Sequence, residues 1–445
     1  MTLTKPIGRR RTGSRGNGIE SDSNNEPSCT PTFGEILPDL HFEAVIGSAK
    51  SDALELHARK GSRFYTSSQI ERQGKIYVPA KLTEGLAQAV RFPPSSAEFG
   101  SAKKLTGSMA ELFCNFGKTS REDAALLTAF ALSTWFVDCF QRAPCLHLTG
   151  SNARVTMVMR LLACVCRRPI LLGRLDLSAL HTLPKGLDPT LLIYEEKINK
   201  NVARLLETSR NRELAIPFGK SWIHAYGTRV FFSDPMTVDT SALRIHLAPT
   251  TGALPELRDN AEKAIAFEFQ AKLLRCRLIH FTTVQNSHFD CSGFVPDMQD
   301  GVRALISPLF DCGDFRGSVL SSLQSRNKER AGSRFTDLDC LVIESALAFC
   351  HDASVQEFFV RDIAETANAI LQGRNEDCTI TTKAVGQALR GLSLFPVRVR
   401  DGYHLVLTNS IREKIHRLAE EYNVPSVDEG TRRCDHCQPS NPQMN

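Results

Sequence analysis

The sequence predicts an α/β protein. A mostly parallel sheet with helices on both faces is preceded by a small β-containing region and followed by three helices and a β-hairpin. Three observations carry this reading. Strand-like and helix-like segments alternate from Cys145 to Leu247, the pattern of parallel strands joined by crossover helices. Short β-like segments with turn signals fill residues 40–105. Past Arg334, three helical segments lead into two alternating runs around Asp401-Gly402, a hairpin signal.

At 445 residues the chain is long enough for two or three cores. Its formal net charge of +5 permits contact with nucleic acid without arguing for it, so any such contact must rest on local placement. The 14 cysteines are scattered through apolar segments such as Leu161-Leu162-Ala163-Cys164-Val165-Cys166, which reads as buried free thiols in a reducing cytoplasm. Arg9-Arg10-Arg11 is followed by polar sequence, so no secretory signal is expected. The longest apolar stretch, Ala124 to Val137, contains Thr128, Ser133 and Thr134 and falls short of the roughly 18–20 residues of a membrane span. No membrane partner is expected.

Residues 1–33, rich in Gly, Ser, Asn, Pro and Arg, read as a disordered basic arm. Residues 34–105 form the lead-in, with Gln73-Gly74 before Ile76-Tyr77-Val78-Pro79 and Phe92-Pro93-Pro94 closing a second segment. The core occupies residues 106–285. Ser120 caps an apolar helix, Ala124 to Phe140, whose first turn carries Glu122 and Asp123. Strands at Cys145–Thr149, Pro169–Gly173, Pro189–Ile193, Arg229–Phe232 and Leu243–Leu247 follow. Helical segments at Arg154–Cys166, Leu177–Leu183 and Lys200–Thr208 separate them, and a long helix runs from Asp259 to Phe281. Residues 286–333 read as a helical linker region ending in a charged, mobile stretch, Ser325–Arg330. In 334–422, helices Asp337–Phe349, Val355–Leu371 and Lys383–Gly391 precede strands Phe395–Arg400 and Tyr403–Thr408, which together read as a winged helix. Residues 423–445 read as a disordered tail; Cys434 and Cys437 in it are half a zinc site and are expected to be free thiols.

Residues 145–157, CLHLTGSNARVTM, place a glycine between a strand and a helix, where a phosphate-cradling loop G-x-x-x-x-G-K-[ST] would sit. The second glycine and the lysine are missing. The candidate nucleotide-binding residues are Gly150, Ser151, Asn152, Arg154 and Thr156. With Met159–Cys166 held in register, Thr156 falls at the Mg²⁺-binding position and Val155 at the lysine. The strand Pro189–Ile193 ends in Tyr194 and Glu195, at the positions of the metal-binding aspartate and the water-orienting glutamate of such an ATPase. Glu195, Arg210 and Arg212 are therefore the candidate catalytic residues, the two arginines for phosphate contact. In the last unit, Lys383, Gln387 and Arg390 share the exposed face of the third helix, and Arg398 and Arg400 alternate on one side of the wing. Polar and basic groups so arranged suit phosphate and groove contacts with DNA.

From about Gly74 onward the order of parts resembles bacterial P-loop ATPases of the AAA-like, primase–helicase-associated kind often carried by mobile elements. The helix ending Cys166-Arg-Arg-Pro169, the strand Pro189–Ile193, the segment Glu268-Phe-Gln-Ala-Lys-Leu-Leu274 and the final winged-helix pattern carry the resemblance. It implies a P-loop NTPase-like core, and rings in which Arg210 or Arg212 would serve a neighbouring subunit. Together with the missing lysine and aspartate, it implies a DNA-associated accessory or scaffold protein linked to replication or maintenance of a mobile element. Its expected partners are DNA and other subunits, either copies of itself or an active ATPase. No cofactor is expected; ATP and Mg²⁺ are the candidates if the loop still holds phosphate. The alternatives are an active motor with a non-standard loop, needing Arg154 and Glu195, and a protein-interaction module that docks through the winged helix.

Overall fold

The computed structural model describes residues 28–47, 53–195, 198, 200–223, 225–233, 242–250, 252–333, 337–352, 354–376, 378–422 and 424. Most of the expected arm and tail, with Cys434 and Cys437, lies outside the described residues.

The chain begins with strands β1 (Ser28–Thr32), β2 (Gly34–Leu37), β3 (Leu40–Ile46), β4 (Leu54–Lys60), β5 (Arg63–Ser67), β6 (Ile70–Arg72) and β7 (Lys75–Pro79). β2-β3-β4-β5 is an antiparallel meander, and β1 pairs in parallel with β7 in a second small sheet. The end of the expected basic arm, Ser28–Thr32, is thus a strand, its backbone groups taken up by β7.

Helices α1 (Glu84–Ala89), α2 (Ala102–Gly117) and α3 (Arg121–Thr134) lead to the central sheet. Ser120 Oγ accepts the Asp123 N–H at 3.0 Å, starting α3 where the sequence placed its cap. Residues 124–134 of α3 are all buried, which is why that helix lacks a polar face. The sheet strands are β8 (Cys145–Gly150), β9 (Pro169–Leu172), β10 (Thr190–Tyr194), β13 (Arg229–Phe232) and β14 (Leu243–Leu247). Between them lie α4 (Asn152–Val165), α5 (Leu177–His181), α6 (Lys200–Thr208) and a hairpin the sequence did not announce, β11 (Ile216–Phe218) with β12 (Ser221–Ile223). All five sheet strands run parallel in the order β14-β8-β13-β10-β9.

Alternation along the strands builds two apolar layers. Leu146, Leu148, Ile245 and Leu247 face a cluster with α2, α3, α4 and α7 (Asp259–Gln285). Cys145, Leu191, Ile193 and Phe231 face a second cluster with α5 and α6. The expected linker region belongs to the first of these. Val302 and Leu305 of α8 (Pro296–Ile306) and Val319 and Leu323 of α9 (Asp314–Ser333) pack into it. The charged stretch expected to be mobile continues α9, and Arg326 there reaches the Arg244 carbonyl and the Asp123 carboxylate.

A further apolar cluster gathers α10 (Leu338–His351), α11 (Val360–Gly373), α12 (Thr382–Gly391) and α13 (Asn409–Glu421) around the sheet β15-β17-β16 (Glu357–Phe359, Gly402–Val406, Val397–Val399). The hairpin closes with Val399 opposite Gly402, so its two turn residues are Arg400 and Asp401. Arg400 therefore sits in the turn and does not alternate with Arg398 along a strand.

One ion network joins the lead-in to the core. Glu43, 1% exposed in β3, accepts from Arg167 Nε at 2.8 Å, from Arg277 Nε at 3.2 Å and from Arg168 Nη2. Arg277, in α7, also grips Asp138. Burial alone would raise the Glu43 carboxyl, but the three guanidiniums outweigh it and hold it below the usual carboxylate range. Asp138 is lowered likewise, its burial outweighed chiefly by Arg277.

Glu43→Gln is expected to cost roughly 3–5 kcal/mol, because it leaves buried guanidiniums without their counter-charge; a guanidinium chloride midpoint series measures this. Both carboxyls titrate lower in the fold than in the unfolded chain. Their stabilisation is therefore complete above the ordinary carboxylate range and lost as pH falls toward the lowered folded values. The midpoint of Glu43→Gln is expected to fall less steeply with acid than that of the parent.

Candidate functional site

The carboxyl edge of a parallel sheet is where open α/β folds place ligands. Here that edge presents, in spatial order, Leu247, Gly150, Phe232 and Tyr194, with Ser233 and Glu195 one residue beyond their strands. Gly150 and Glu195 are thus brought to one edge, two strand spacings or about 10 Å apart.

The loop itself is closed. Gly150 adopts φ 104, and a Cβ there would meet the Leu247 carbonyl oxygen at 2.4 Å. Ser151 N–H donates to that same oxygen at 2.8 Å, and α4 starts at Asn152. Pairing with β14 therefore runs to the residue before the helix, and Ser151 alone separates β8 from α4. Arg154 is buried, and its guanidinium donates to the carbonyls of Lys118 at 2.7 Å, Gly117 at 3.4 Å and Ala248. It fastens the end of α2 to the segment after β14. Thr156 Oγ donates back to the Asn152 carbonyl at 2.8 Å on the exposed face of α4. Beneath the loop, burial pushes His147 down to about 4, partly opposed by its Ser233 carbonyl contact. It is neutral at physiological pH and adds no charge to the edge.

Glu195 accepts the Leu175 N–H at 3.3 Å, which pins the segment after β9. Arg210 and Arg212 are not brought to this edge. Arg210 Nε donates to the Ala143 carbonyl at 3.0 Å and Nη1 pairs with Glu207 at 3.1 Å; Arg212 lies over the Tyr226 ring, 4.9 Å from its centroid. Both therefore stand at the amino end of β8, a strand length of about 17 Å from Gly150. Arg210 is 2% exposed and has no surface to offer a neighbour.

Of the residues expected to meet DNA, Arg390 and Arg398 are brought together around Tyr403, while Arg400 sits in the hairpin turn. Thr381 Oγ1 accepts the Ala384 N–H at 3.3 Å and starts α12, from which Lys383, Gln387 and Arg390 all face solvent. Val385 and Leu389 bury the opposite face. Arg398 lies directly across from Tyr403 in the hairpin, and the Arg390 guanidinium lies 5.5 Å from the Tyr403 ring centroid. Helix and hairpin thus share one basic surface built on a half-exposed aromatic. Tyr403 was missed from sequence; its signal was the cross-strand pairing with Arg398, which depends on placing the turn at Arg400-Asp401.

Among the described residues, no group of three His, Cys, Asp or Glu side chains could hold a metal ion, and no helix is long and apolar enough to cross a membrane.

Arg154→Ala is expected to destabilise the protein by about 1–3 kcal/mol, through carbonyls left without donors. It is expected to leave any heat of ATP–Mg²⁺ mixing unchanged. Thermal unfolding and calorimetry on the same sample check both.

No family model matches the chain, and no curated protein matches it. Among solved structures, it is similar to the apo A form of the NrS-1 C-terminal region, at 9% identity and TM-score 0.34 over 82% of this chain and 97% of that one. It is similar to a full-length MCM homolog from Methanopyrus kandleri, at 10% identity and TM-score 0.37 over 65% of this chain and 78% of that one. It is also similar to Cdc6p from Pyrobaculum aerophilum, at 12% identity and TM-score 0.21 over 68% of this chain and 94% of that one. Likeness at this level stops short of assigning the chain to any of them.

Proposed function

We propose that this protein is a DNA-associated accessory or scaffold protein whose α/β core is a P-loop-like architecture that hydrolyses nothing. In this reading α10, α11 and α12 with β15–β17 are a winged helix, α12 enters a groove, and the β16–β17 hairpin follows the backbone. The observation that carries it is the surface of Lys383, Gln387, Arg390, Tyr403 and Arg398, polar and cationic opposite the buried Val385, Ala388 and Leu389 of α12. Arginines supply phosphate contacts there, and Gln387 can read a base edge. The tight Gly150–Ser151 junction supports the inactive core, since Ser151 alone separates strand from helix and its N–H is given to the Leu247 carbonyl.

Duplex DNA binding followed by fluorescence anisotropy tests this. Arg390→Glu with Arg398→Glu is expected to weaken binding about tenfold or more. The slope of log affinity against log salt is expected to flatten by about 0.9 for each phosphate that the double variant no longer neutralises. In parallel, ATP–Mg²⁺ is expected to give no turnover. Turnover abolished by Glu195→Gln would replace this reading with the active motor.

One observation favours a second reading, a protein-docking module. Val397, Val399 and Val406 are exposed on the hairpin sheet. DNA binding that is absent, or unmoved by the double reversal, would favour docking.

A further inference from the structure

The β16–β17 hairpin has a second face that duplex contact leaves unused. Cross-strand partners share a face of a sheet, so Arg398 and Tyr403 lie on the side of Leu405 and the core. Val397 and Val399 point the other way, with His404 and Val406. Five of the twelve large apolar side chains exposed among the described residues fall between positions 395 and 406. Val397 is 62% exposed, and Phe395, two residues before β16, is 66% exposed. Apolar surface gathered in this way marks a contact, where singly scattered residues would not.

The surroundings favour a polyanion. Residues 383–414 hold six basic side chains against two acidic ones, Asp401 and Glu413. On the valine side, Phe359 lies across from His404, and the Arg361 guanidinium is 4.6 Å from the Phe359 ring centroid. The acids bordering that side are engaged: Glu357 meets His404 Nδ1 at 2.8 Å, and Asp362 accepts the Phe359 N–H at 2.8 Å and lies 3.6 Å from Arg361. β16 is the edge strand of its sheet, so a ligand can pass around it from one face to the other. Duplex DNA presents phosphates and groove edges but hides its base faces in the stack. An unpaired strand presents phosphates and base faces together, which is what cations beside an exposed aromatic suit.

We propose, on the DNA-associated reading above, that the DNA bound here is a duplex carrying a single-stranded extension. α12 and the Arg390–Tyr403–Arg398 surface hold the duplex part. The unpaired strand rounds the β16 edge, and its bases lie on Phe395 and Val397. Arg400 in the turn and Arg361 beyond the valines supply cations for its phosphates.

Fluorescence anisotropy on the full chain compares a blunt duplex with the same duplex bearing an extension of about ten nucleotides, within the span of one single-strand-binding fold. The extended duplex is expected to bind about fivefold tighter or more, the worth of stacking one base. Phe395→Ala with Val397→Thr, both on exposed residues, is expected to abolish that preference. Blunt-duplex affinity and the unfolding midpoint are expected to stay where they are. Arg390→Glu with Arg398→Glu is expected to weaken binding of both DNAs. Equal binding of the two DNAs, each still sensitive to the arginine reversal, overturns this proposal and leaves the DNA-associated reading standing. So does a preference that survives the loss of Phe395 and Val397. Absence of arginine-dependent DNA binding overturns that reading and this one with it. If the parent self-associates in sedimentation and the Phe395–Val397 variant does not, the face is a contact between copies and the proposal falls.

Discussion

The Glu43 carboxylate is the constraint on which the core's arrangement depends. It lies in a lead-in strand, yet its partners come from the junction after α4 and from the middle of α7. Three segments far apart in sequence are thus fixed by one buried charge. Arg168 shows how strongly. Its backbone lies at φ 46, a region costly for a residue with a Cβ. Its guanidinium is spent on the Phe33, Gly186 and Leu187 carbonyls as well as on Glu43. Burial, with Arg167 beside it, pushes Arg168 down to about 10, still protonated at neutral pH. Because Phe33, Ala44 and Val45 also enter the apolar layers of the sheet, the lead-in is part of the core's own packing.

The carboxyl edge reflects the opposite economy, with local pairing in place of long-range charge. A loop that wraps phosphate needs backbone N–H groups held away from their usual partners. Between β8 and α4 the turn is a single residue: Gly150 continues the ladder with Leu247 and the Ser151 N–H closes it. Arg154, the cation nearest the loop, is held by three carbonyls. Glycine persists at position 150 because any side chain would strike Leu247, a reason of packing that needs no ligand.

Much of this was legible in the sequence. Strand and helix periodicity located all five parallel strands and α4, because those segments are either wholly buried or plainly amphipathic. The N-cap at Ser120 was readable because its chemistry is local. The β11–β12 hairpin was not, since Ile216–Ile223 mixes Pro, Gly and Lys with short apolar runs. The fixed helix through Ser325–Arg330 was missed for another reason: Arg326 is partnered by Asp123 and a distant carbonyl that only the fold brings near. The Glu43 network was invisible on the same ground. A lone glutamate in a strand and an Arg-Arg pair carry no mutual signal across more than 120 residues. Setting Arg400 in alternation with Arg398 along the wing's strand failed by one residue of register, the least forgiving quantity in a hairpin.

At the carboxyl edge, Arg154 and Glu195 each hold a backbone group of a neighbouring segment. Cationic groups elsewhere are distinguished by whether they have been put to structural use. Arg154, Arg210 and Arg277 have been, and each is buried against carbonyls or carboxylates. Lys383 and Arg390 face solvent from a helix whose other face is packed, Arg398 does so from the exposed hairpin, and Tyr403 lies beneath Arg390. Holding several cations on one rigid surface costs self-repulsion that the fold gains nothing from. A polyanion laid across them would remove that cost, which is the physical ground of the proposed DNA contact.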